Sequence, residues 1–342
     1  MLITRPGERP VFLVSPPPEH WDAGGGDDGN VRAANAKMRG DINPRRALLA
    51  WIKFIDFVVY VFNAIVIVMP PPPRGSVLFD TVFVRDHFIW VPGVGIVKAR
   101  MKAWDRDGEP DFTAQFLRSI GVEIADAMNH GFEGDSCAFL LPGGTAVVFG
   151  YGSRADREAG RQLAKLYKKP VISLQLDPDC FHLDLAGAAL TSRAPTVLFH
   201  RGSLAKRCRG WRPDDGWRML EEACRRDRST LIELSHEDAA RAVANSRDIN
   251  GNLLGPPDVS PELQEQLMEL GYFFYPMELD ELLENGGGFT GCISHALPLE
   301  AFTRGIPMEF TWEVWKHIAM AMLSSYPKKV IRKPQARYIG PK

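Results

Sequence analysis

The chain lacks the cysteine pattern of a disulfide-stapled or zinc-binding protein. Its 342 residues include five cysteines, an odd number, and no two of them form a CxxC pair. Disulfide frameworks and thiolate zinc sites both depend on regularly spaced cysteines. We therefore expect a protein of a reducing, cytoplasmic compartment that holds no metal ion and no cofactor. The first residues also lack the apolar run of a secretory signal peptide.

A large charge of one sign is absent as well. Lysine and arginine number 41 against 42 aspartate and glutamate residues, which gives a formal net charge of −1. Proteins that bind nucleic acids or polyanions through charge usually carry a basic face or tract. We therefore expect no nucleic-acid partner.

One long apolar run, Ala47–Met69, raises the question of a membrane span. Lys53, Asp56 and Asn63 interrupt this run, and Pro70–Pro73 follow it directly. A charge in the middle of a bilayer costs about 2.5–3.5 kcal/mol. The pattern instead favours a buried helix that leads into a strand, "IVIVM", so we expect no membrane association.

The composition is that of an ordinary globular protein, with 45% hydrophobic and 24% charged residues. Strand-like and helix-like segments alternate along the chain, which predicts an α/β fold. No linker divides the sequence, so we expect one domain over residues 1–342. The polar, glycine-rich stretch near 23–41 is interpreted as an inserted loop, and a helix and a tail are expected near 311–342.

A cysteine just after a glycine triplet is the first candidate for chemistry. The stretch "ENGGGFTGCISHALP" places Cys292 shortly after Gly286–Gly288. Glycines allow the backbone to approach a ligand closely, and a thiolate is a strong nucleophile. A glycine triplet is also a common end of a helix, and "LDELLENGGG" is predicted to end one. The triplet alone therefore does not identify an active site.

Histidine and carboxylate residues elsewhere could meet this cysteine. The segment "FHLDLAGAALTS" predicts a strand, on which His182 and Asp184 would share one face about 7 Å apart. Asp86 follows an apolar, strand-like segment, and Glu133 lies in an acidic turn. Taken singly, each has an ordinary structural interpretation, as a solvent-facing edge or a turn former.

Together these residue types suit a guanidinium substrate. Carboxylates hold a planar guanidinium by charge-assisted, often bidentate hydrogen bonds, and they keep its carbon electrophilic. The bound cation in turn favours the thiolate over the thiol. A histidine can protonate the departing amine and then activate water against the thiouronium intermediate.

The ordered motifs "FVRD", "FEG", "HLD" and "GGGFTGC" resemble those of the guanidino-group modifying enzymes, or penteins. Further similar segments, "FLVSPPPEHWD", "INP" and "GYGSRAD", extend the resemblance over most of the chain. The resemblance implies a five-bladed α/β propeller of ββαβ-type units around a central pocket. It also implies a catalytic set of Cys292, His182 and Glu133, and a substrate-binding set of Asp86, Asp184, Arg154 and Arg106.

Two departures from the family pattern bear on the reaction. The family usually reads "FEGxGD", whereas "FEGDSC" places Cys137 at the position of the second acidic residue. "FVRD" has an aspartate where the arginine-dihydrolase branch has the asparagine of "FTAN". The resemblance therefore implies hydrolysis of a free guanidino amino acid, of the dimethylarginine dimethylaminohydrolase or arginine deiminase type. The sequence leaves three other functions open: an amidinotransferase, an arginine dihydrolase giving ornithine, and a non-catalytic binding pentein. It also leaves open whether the chain forms a homo-oligomer.

Overall fold

The computed structural model describes residues 9–19, 43–73, 76, 78, 80–205, 214–283 and 287–326. Within these residues the chain forms fifteen β-strands and nine α-helices, joined by turns and short 3-10 helices. The stretch near 23–41, interpreted as an inserted loop, lies outside the described residues, and so do Cys208 and the tail after residue 326.

The strands are short and the helices vary widely in length. In chain order the strands are β1 Val11–Val14, β2 Ile65–Val68, β3 Phe88–Val91, β4 Gly95–Lys98, β5 Ile124–Ala125, β6 Ala138–Leu140, β7 Val147–Tyr151, β8 Val171–Gln175, β9 Gly187–Leu190, β10 Thr196–Phe199, β11 Thr230–Glu233, β12 Arg247–Ile249, β13 Asn252–Gly255, β14 Phe273–Pro276 and β15 His295–Leu297. The helices are α1 Pro44–Phe62, α2 Glu109–Ser119, α3 Ala159–Tyr167, α4 Leu183–Ala186, α5 Asp215–Asp227, α6 His236–Ala240, α7 Pro261–Glu269, α8 Asp280–Leu283 and α9 Trp312–Ser325.

In the described part of the chain the strands form five three-stranded sheets of one design. An end strand runs antiparallel to the middle strand, which runs parallel to the third. For example, β6 pairs with β7 at Ala138↔Phe149, and β7 pairs in parallel with β8 at Val147↔Val171. A helix joins the two parallel strands, as a parallel crossover requires, and α3 does so between β7 and β8. The repeating unit is therefore ββαβ.

Four of the sheets use strands that are consecutive in the sequence, and the fifth joins the two ends of the described chain. In this fifth sheet, β15 pairs antiparallel with β1 at Val11↔Leu297, and β1 pairs in parallel with β2 at Val11↔Ile65. β1 is thus the middle strand of its sheet, and all four of its residues are buried.

The five sheets share one centre. A cavity of about 40 Å³ is lined by a residue from one end strand of every sheet: Trp90 of β3, Phe139 of β6, Ala189 of β9, Arg247 of β12 and Ala296 of β15. The segments that lead into these five end strands carry the side chains of the candidate site.

The long apolar run folds as predicted, as helix α1 followed by strand β2. Asn43 caps the start of α1, where its side chain accepts a hydrogen bond from the Arg46 amide at 3.1 Å. Asn63 ends the helix in a left-handed conformation with φ of 53°, which asparagine tolerates better than most residues. Both ends of this helix are therefore defined by capping residues in the local sequence.

Helix α1 is buried because the C-terminal helix α9 packs against it. Trp51 and Trp312 are fully buried and meet edge to face, with ring centroids 5.6 Å apart. Asp56, one of the residues that argued against a membrane span, accepts a hydrogen bond from Trp312 Nε1 at 2.8 Å and pairs with Lys316 at 3.0 Å. None of the helices in the described part of the chain is long and apolar enough to cross a membrane.

Two predictions of secondary structure were wrong in detail. The segment predicted as one strand around His182 begins instead with the short helix α4, and the strand starts only at Gly187. The segment "SRADREAGRQLAKLYKKP" predicts a helix with Ser153 as its cap, but helix α3 begins only at Ala159. In both places a few residues of turn or helix precede the regular element, and sequence periodicity does not resolve segments this short.

Candidate active site

Five corresponding segments of the repeated unit contribute the candidate site. The 3-10 helix Val84–His87 leads into β3, the 3-10 helix Gly134–Ser136 leads into β6, and α4 leads into β9. The 3-10 helix Val243–Asn245 precedes β12, and a turn that contains Cys292 precedes β15. The segment that precedes the antiparallel end strand thus occurs five times, and each copy carries different polar side chains.

Cys292 is buried, with 3% of its surface exposed, and its sulfur contacts two other units. Asn245 Nδ2 donates a hydrogen bond to the sulfur at 3.1 Å. The thiol in turn donates to Asp184 Oδ2 at 3.5 Å. Asn245 Nδ2 also donates to the same oxygen of Asp184, at 2.7 Å. The sulfur, the amide and the carboxylate therefore form a closed triangle of polar contacts.

Asn245 also holds the backbone beside the cysteine. Its Oδ1 accepts hydrogen bonds from the backbone amides of Cys292 and Phe289, both at 3.1 Å. Sequence reasoning missed this residue, because nothing in "AVANSRD" marks it as functional. The available signal is its position before an end strand, which becomes visible only when the five units are compared.

His182 forms a short pair with Glu133. Its Nε2 lies 2.8 Å from Glu133 Oε2, and both residues are buried. The other oxygen of Glu133 accepts the Ala103 amide at 3.1 Å, and Arg154 Nη1 donates to Oε2 at 3.3 Å. Burial alone would raise the pKa of Glu133, but the charge of Arg154 and the bond from His182 outweigh it and lower the pKa. Glu133 is therefore a stable anion that can orient His182 and hold a cation.

Asp86 is joined to this pair through Arg106. Arg106 Nη1 donates to Asp86 Oδ2 at 2.6 Å and lies 3.9 Å from Glu133 Oε2. Arg106 Nε also donates to Glu109 Oε2 at 2.8 Å, and the hydroxyl of Ser136 donates to Asp86. Burial would raise the pKa of Asp86, but the charges of His182 and Arg106 lower it overall. Asp86 is thus a second buried anion.

The pKa values of Asp184 and Cys292 are shifted in the opposite direction, upward. Burial raises the pKa of Asp184, and the guanidinium of Arg85, 3.5 Å from its Oδ2, offsets only part of this. Burial also raises the pKa of the Cys292 thiol, and the charges of Asp184 and Asp86 raise it further, against the smaller effects of Arg85 and Asn245. At neutral pH the thiol is therefore protonated in this structure. A cation that entered the site would favour the thiolate.

Comparison with known proteins gives relatives of one kind. No protein-family model matches the chain. A curated N(G),N(G)-dimethylarginine dimethylaminohydrolase of Mycobacterium tuberculosis (strain ATCC 25618 / H37Rv) is 38% identical over 118 residues, which are 34% of this chain and 37% of that protein. The match thus spans only about a third of either protein.

Solved structures are similar over most of the chain. The N-terminal domain of ArgZ, described as an arginine dihydrolase from the ornithine–ammonia cycle in cyanobacteria, has a TM-score of 0.70 at 23% identity, and the match covers 84% of this chain and 98% of that one. Unliganded AgrE has a TM-score of 0.70 at 23% identity over 85% of this chain and 39% of its own. A dimethylarginine dimethylaminohydrolase adduct with 4-chloro-2-hydroxymethylpyridine has a TM-score of 0.59 at 17% identity, over 85% and 100%.

About a third of the chain is thus similar in sequence to a dimethylarginine dimethylaminohydrolase, and its fold is that of the ArgZ N-terminal domain, of AgrE and of the dimethylarginine dimethylaminohydrolase adduct. Seven residues were predicted to form the site, and all seven are buried in the structure, with 5% or less of their surface exposed: Cys292, His182, Glu133, Asp86, Asp184, Arg154 and Arg106. The structure brings them into two contacting groups, one around the Cys292 sulfur and one around the Glu133 carboxylate.

Some of these residues contact partners other than those the sequence suggested. His182 and Asp184 do not share a strand face: His182 is extended and bonds to Glu133, whereas Asp184 lies in the first turn of α4 and bonds to Asn245. Arg106 and Arg154, predicted to bind the substrate, contact carboxylates of the protein itself. Their role towards a substrate remains a prediction.

One group of side chains in the described part of the chain has the donor atoms of a metal site. Asp86, Glu133 and His182 offer atoms that all lie within 4.8 Å of one another. However, Arg106 contacts Asp86 and Arg154 contacts Glu133, and these two cations would oppose a divalent ion in the same place. That the protein uses no metal remains a prediction.

Proposed function

We propose that this chain is a cysteine-dependent hydrolase of the guanidino group of a free arginine derivative. The observation that carries the proposal is the convergence, from separate units, of the Cys292 thiol on Asp184 and of His182 on Glu133. The two pairs supply a nucleophile, an acid/base and buried anions, which are the groups that this reaction needs. The M. tuberculosis relative supports the same class of substrate.

We further propose that the five ββαβ units are the blades of one five-bladed propeller, and that residues 1–342 form a single catalytic domain. The shared cavity supports this arrangement, because every sheet contributes an end strand to its wall. The active site would then lie at the entrance to the end strands, on the axis of the propeller.

Substrate recognition would depend on Asp86, Glu133 and Asp184. A planar guanidinium can donate bidentate hydrogen bonds to carboxylates on more than one edge. Arg106 and Arg85 already lie beside two of these anions, so the substrate cation would have to displace or share them. Arg154 and Arg106 are the candidates for binding the carboxylate of the amino acid substrate.

The reaction would begin with transfer of the Cys292 proton to His182, which the arriving cation favours because it stabilises the thiolate. The sulfur attacks the guanidinium carbon, and His182 donates a proton to the nitrogen that departs as an amine. The C–N bond breaks and a thiouronium intermediate remains on the sulfur. His182 then takes a proton from water, and the hydroxide adds to the same carbon. The C–S bond breaks as the hydroxyl proton of this adduct passes to the sulfur, which releases a ureido product and regenerates the thiol.

The preferred products are citrulline with dimethylamine or with ammonia. Asp86 stands in "FVRD" at the position where the dihydrolase branch has asparagine, which favours a single hydrolysis. The likeness of the fold to ArgZ, an arginine dihydrolase, keeps full hydrolysis to ornithine as the second candidate.

The test is to identify products by mass spectrometry after incubation with arginine, with methylated arginines, and with arginine plus glycine. We expect citrulline, together with dimethylamine from dimethylarginine or ammonia from arginine, and no turnover by Cys292→Ala. Ornithine with ammonia would select the dihydrolase, and a new guanidino compound would select an amidinotransferase. Full turnover by Cys292→Ala, or no turnover of any of these guanidines by the folded protein, would overturn the proposal.

A further inference from the structure

The turn that carries Cys292 is held in place by hydrogen bonds from Arg247, a residue of β12. Its Nη2 donates to the backbone carbonyl of Gly291 at 2.7 Å and also to the carbonyl of Ser294. Its Nε donates to the Ser294 hydroxyl at 3.0 Å. Gly291 and Ser294 lie on the two sides of Cys292 in the sequence, so one guanidinium spans the turn that presents the sulfur.

These contacts leave the charge of Arg247 without an ion pair. All the groups that accept its hydrogen bonds are uncharged, and within the described chain no carboxylate lies at ion-pair distance; Asp135 and Asp184 act on it only from farther away. Burial and the charge of Arg85 lower the pKa of Arg247 to about 9, so it is still a cation at neutral pH. A buried cation of this kind stabilises any anion that forms beside it.

The anion that can form there is the thiolate of Cys292. Ionised Cys292 raises the pKa of Arg247. Because the coupling of two binding equilibria is reciprocal, the Arg247 cation lowers the pKa of the Cys292 thiol by the same free energy. Arg85 acts on the thiol in the same direction, but Asp184 lies 3.5 Å from its Nε and partly neutralises it.

We propose that Arg247 is the positioning residue of the nucleophile: its forked guanidinium fixes the carbonyls on both sides of Cys292, and its unpaired charge favours the thiolate. The proposal rests on the proposed role of Cys292 as nucleophile. A lysine at this position would keep the charge, but its ammonium group is not a planar fork and would not span Gly291 and Ser294 in the same way.

Several other charged or titratable groups face this pair, and they set the background against which Arg247 acts. The groups near the Cys292 sulfur are Asp86 and Arg85 from the segment before β3, and Asp184 from α4. The groups near Arg247 are Arg85, Asp135, Asp184 and Cys292. His295, which follows Cys292 by three residues, is coupled to Asp135, Arg247 and Arg85.

The experiment compares the rate at which iodoacetamide alkylates Cys292 in the full chain between pH 7 and 9. Mass spectrometry of the Cys292 peptide separates it from the other cysteines. In this range the rate follows the thiolate fraction, which falls tenfold for each unit by which the thiol pKa rises. We expect Arg247→Met to slow alkylation about tenfold, and Arg247→Lys to stay within about twofold of the wild-type rate.

The direction in which the alkylation rate changes distinguishes loss of the Arg247 charge from loosening of the turn. A looser turn would expose the buried sulfur and speed alkylation, whereas loss of the cation slows it. The matched control is Arg201→Met. The guanidinium of Arg201 lies 5.7 Å from the ring of Trp217, as that of Arg247 lies 5.7 Å from the ring of Phe12, but it pairs with Asp214 and not with the turn of Cys292. We expect this control to alkylate at the wild-type rate.

A rate for folded Arg247→Met equal to or above wild type would overturn the proposal. Arg247→Gln, whose amide can still donate to a carbonyl, replaces Arg247→Met if the latter melts below the assay temperature. Substrate turnover adds a second readout. We expect Arg247→Lys to lower kcat more than KM, because the lysine keeps the charge but no longer fixes the turn. Alkylation needs no substrate, so failure of the proposed function and failure of this proposal give different results.

Discussion

At the scale of single residues, each carboxylate proposed to hold the substrate guanidinium has an arginine of the chain beside it. Asp86 meets Arg106 at 2.6 Å, and Glu133 meets Arg154 at 3.3 Å. An unpaired buried carboxylate would destabilise the fold, whereas a paired one is tolerated. These arginines therefore allow several anions to be held in a buried site, and a substrate guanidinium enters a site whose negative charge is already partly balanced.

Asn245 is the residue whose loss should damage the site most without removing a reacting group. In Asn245→Ala the sulfur loses its hydrogen-bond donor, and the amides of Cys292 and Phe289 lose their acceptor. We expect turnover to fall by about a hundredfold, because the nucleophile is misplaced. We also expect the free energy of unfolding to fall by about 1–3 kcal/mol, because buried donors are left unpaired.

Steady-state kinetics and urea unfolding measure these two effects. Asn252→Ala is the matched control, because Asn252 also donates through its side-chain amide, to the Ile249 carbonyl at 3.0 Å, but it lies outside the site. Turnover of Asn245→Ala close to that of Asn252→Ala would show that Asn245 does not position the cysteine.

His295 makes the stability of the protein depend on pH. It is fully buried, and burial lowers its pKa to about 4, with Arg247 and Arg85 opposing its protonation and Asp135 favouring it. Below the ordinary histidine pKa of about 6.5 the unfolded chain therefore binds a proton that the folded chain does not. The contribution of neutral His295 is complete above about pH 6.5 and is lost as the pH falls towards 4, by up to about 1.4 kcal/mol per pH unit.

The measurement is the free energy of unfolding from urea titrations at pH 7, 6 and 5. We expect His295→Gln to be less stable than wild type at pH 7 and to lose less stability on acidification. His317→Gln, which removes an exposed histidine, should keep the wild-type slope. Equal slopes for wild type and His295→Gln would mean that folding does not lower the pKa of His295.

At the scale of elements, the sequence predicted those that carry a complete local signal. The apolar run from Ala47 has a capping asparagine at its start and another at its end, and it forms α1 and β2. The segment "CAFLLPGGTAVVFGYG" has strand-like runs on both sides of Gly143-Gly144, which predicts a hairpin, and β6 and β7 pair antiparallel there. Gly144 has a φ of 74°, which glycine adopts without strain.

The elements that the sequence did not predict are fixed by contacts far along the chain. The helical turn α4 has only four residues, and its Asp184 is bonded to Asn245, 61 residues later. His182, just before it, is bonded to Glu133, 49 residues earlier. Such a turn has too few residues for a periodic pattern, so its conformation depends on partners that periodicity does not reveal.

The candidate site was predictable where a residue carries a reactive group, and unpredictable where it carries only a hydrogen bond. Cys292, His182 and Glu133 were identified from chemistry together with an ordered set of motifs. Asn245 and Arg247 were missed, because an asparagine and an arginine before or in a strand have many ordinary roles. Their importance follows from atoms within 3.1 Å of the nucleophile's turn, which only the fold brings together.

At the scale of the whole molecule, closure by β1 and β15 should make the five units fold as one. Leu13 is fully buried in the middle strand of the closing sheet. We expect Leu13→Ala to lower the free energy of unfolding by about 2–5 kcal/mol.

Hydrogen exchange should show equal losses of protection in β1 and in the distant strand β10. Leu198→Ala in β10, also buried, is the reciprocal control and should weaken β1 equally. Losses confined to the mutated sheet would show that the units unfold separately and contradict a single domain.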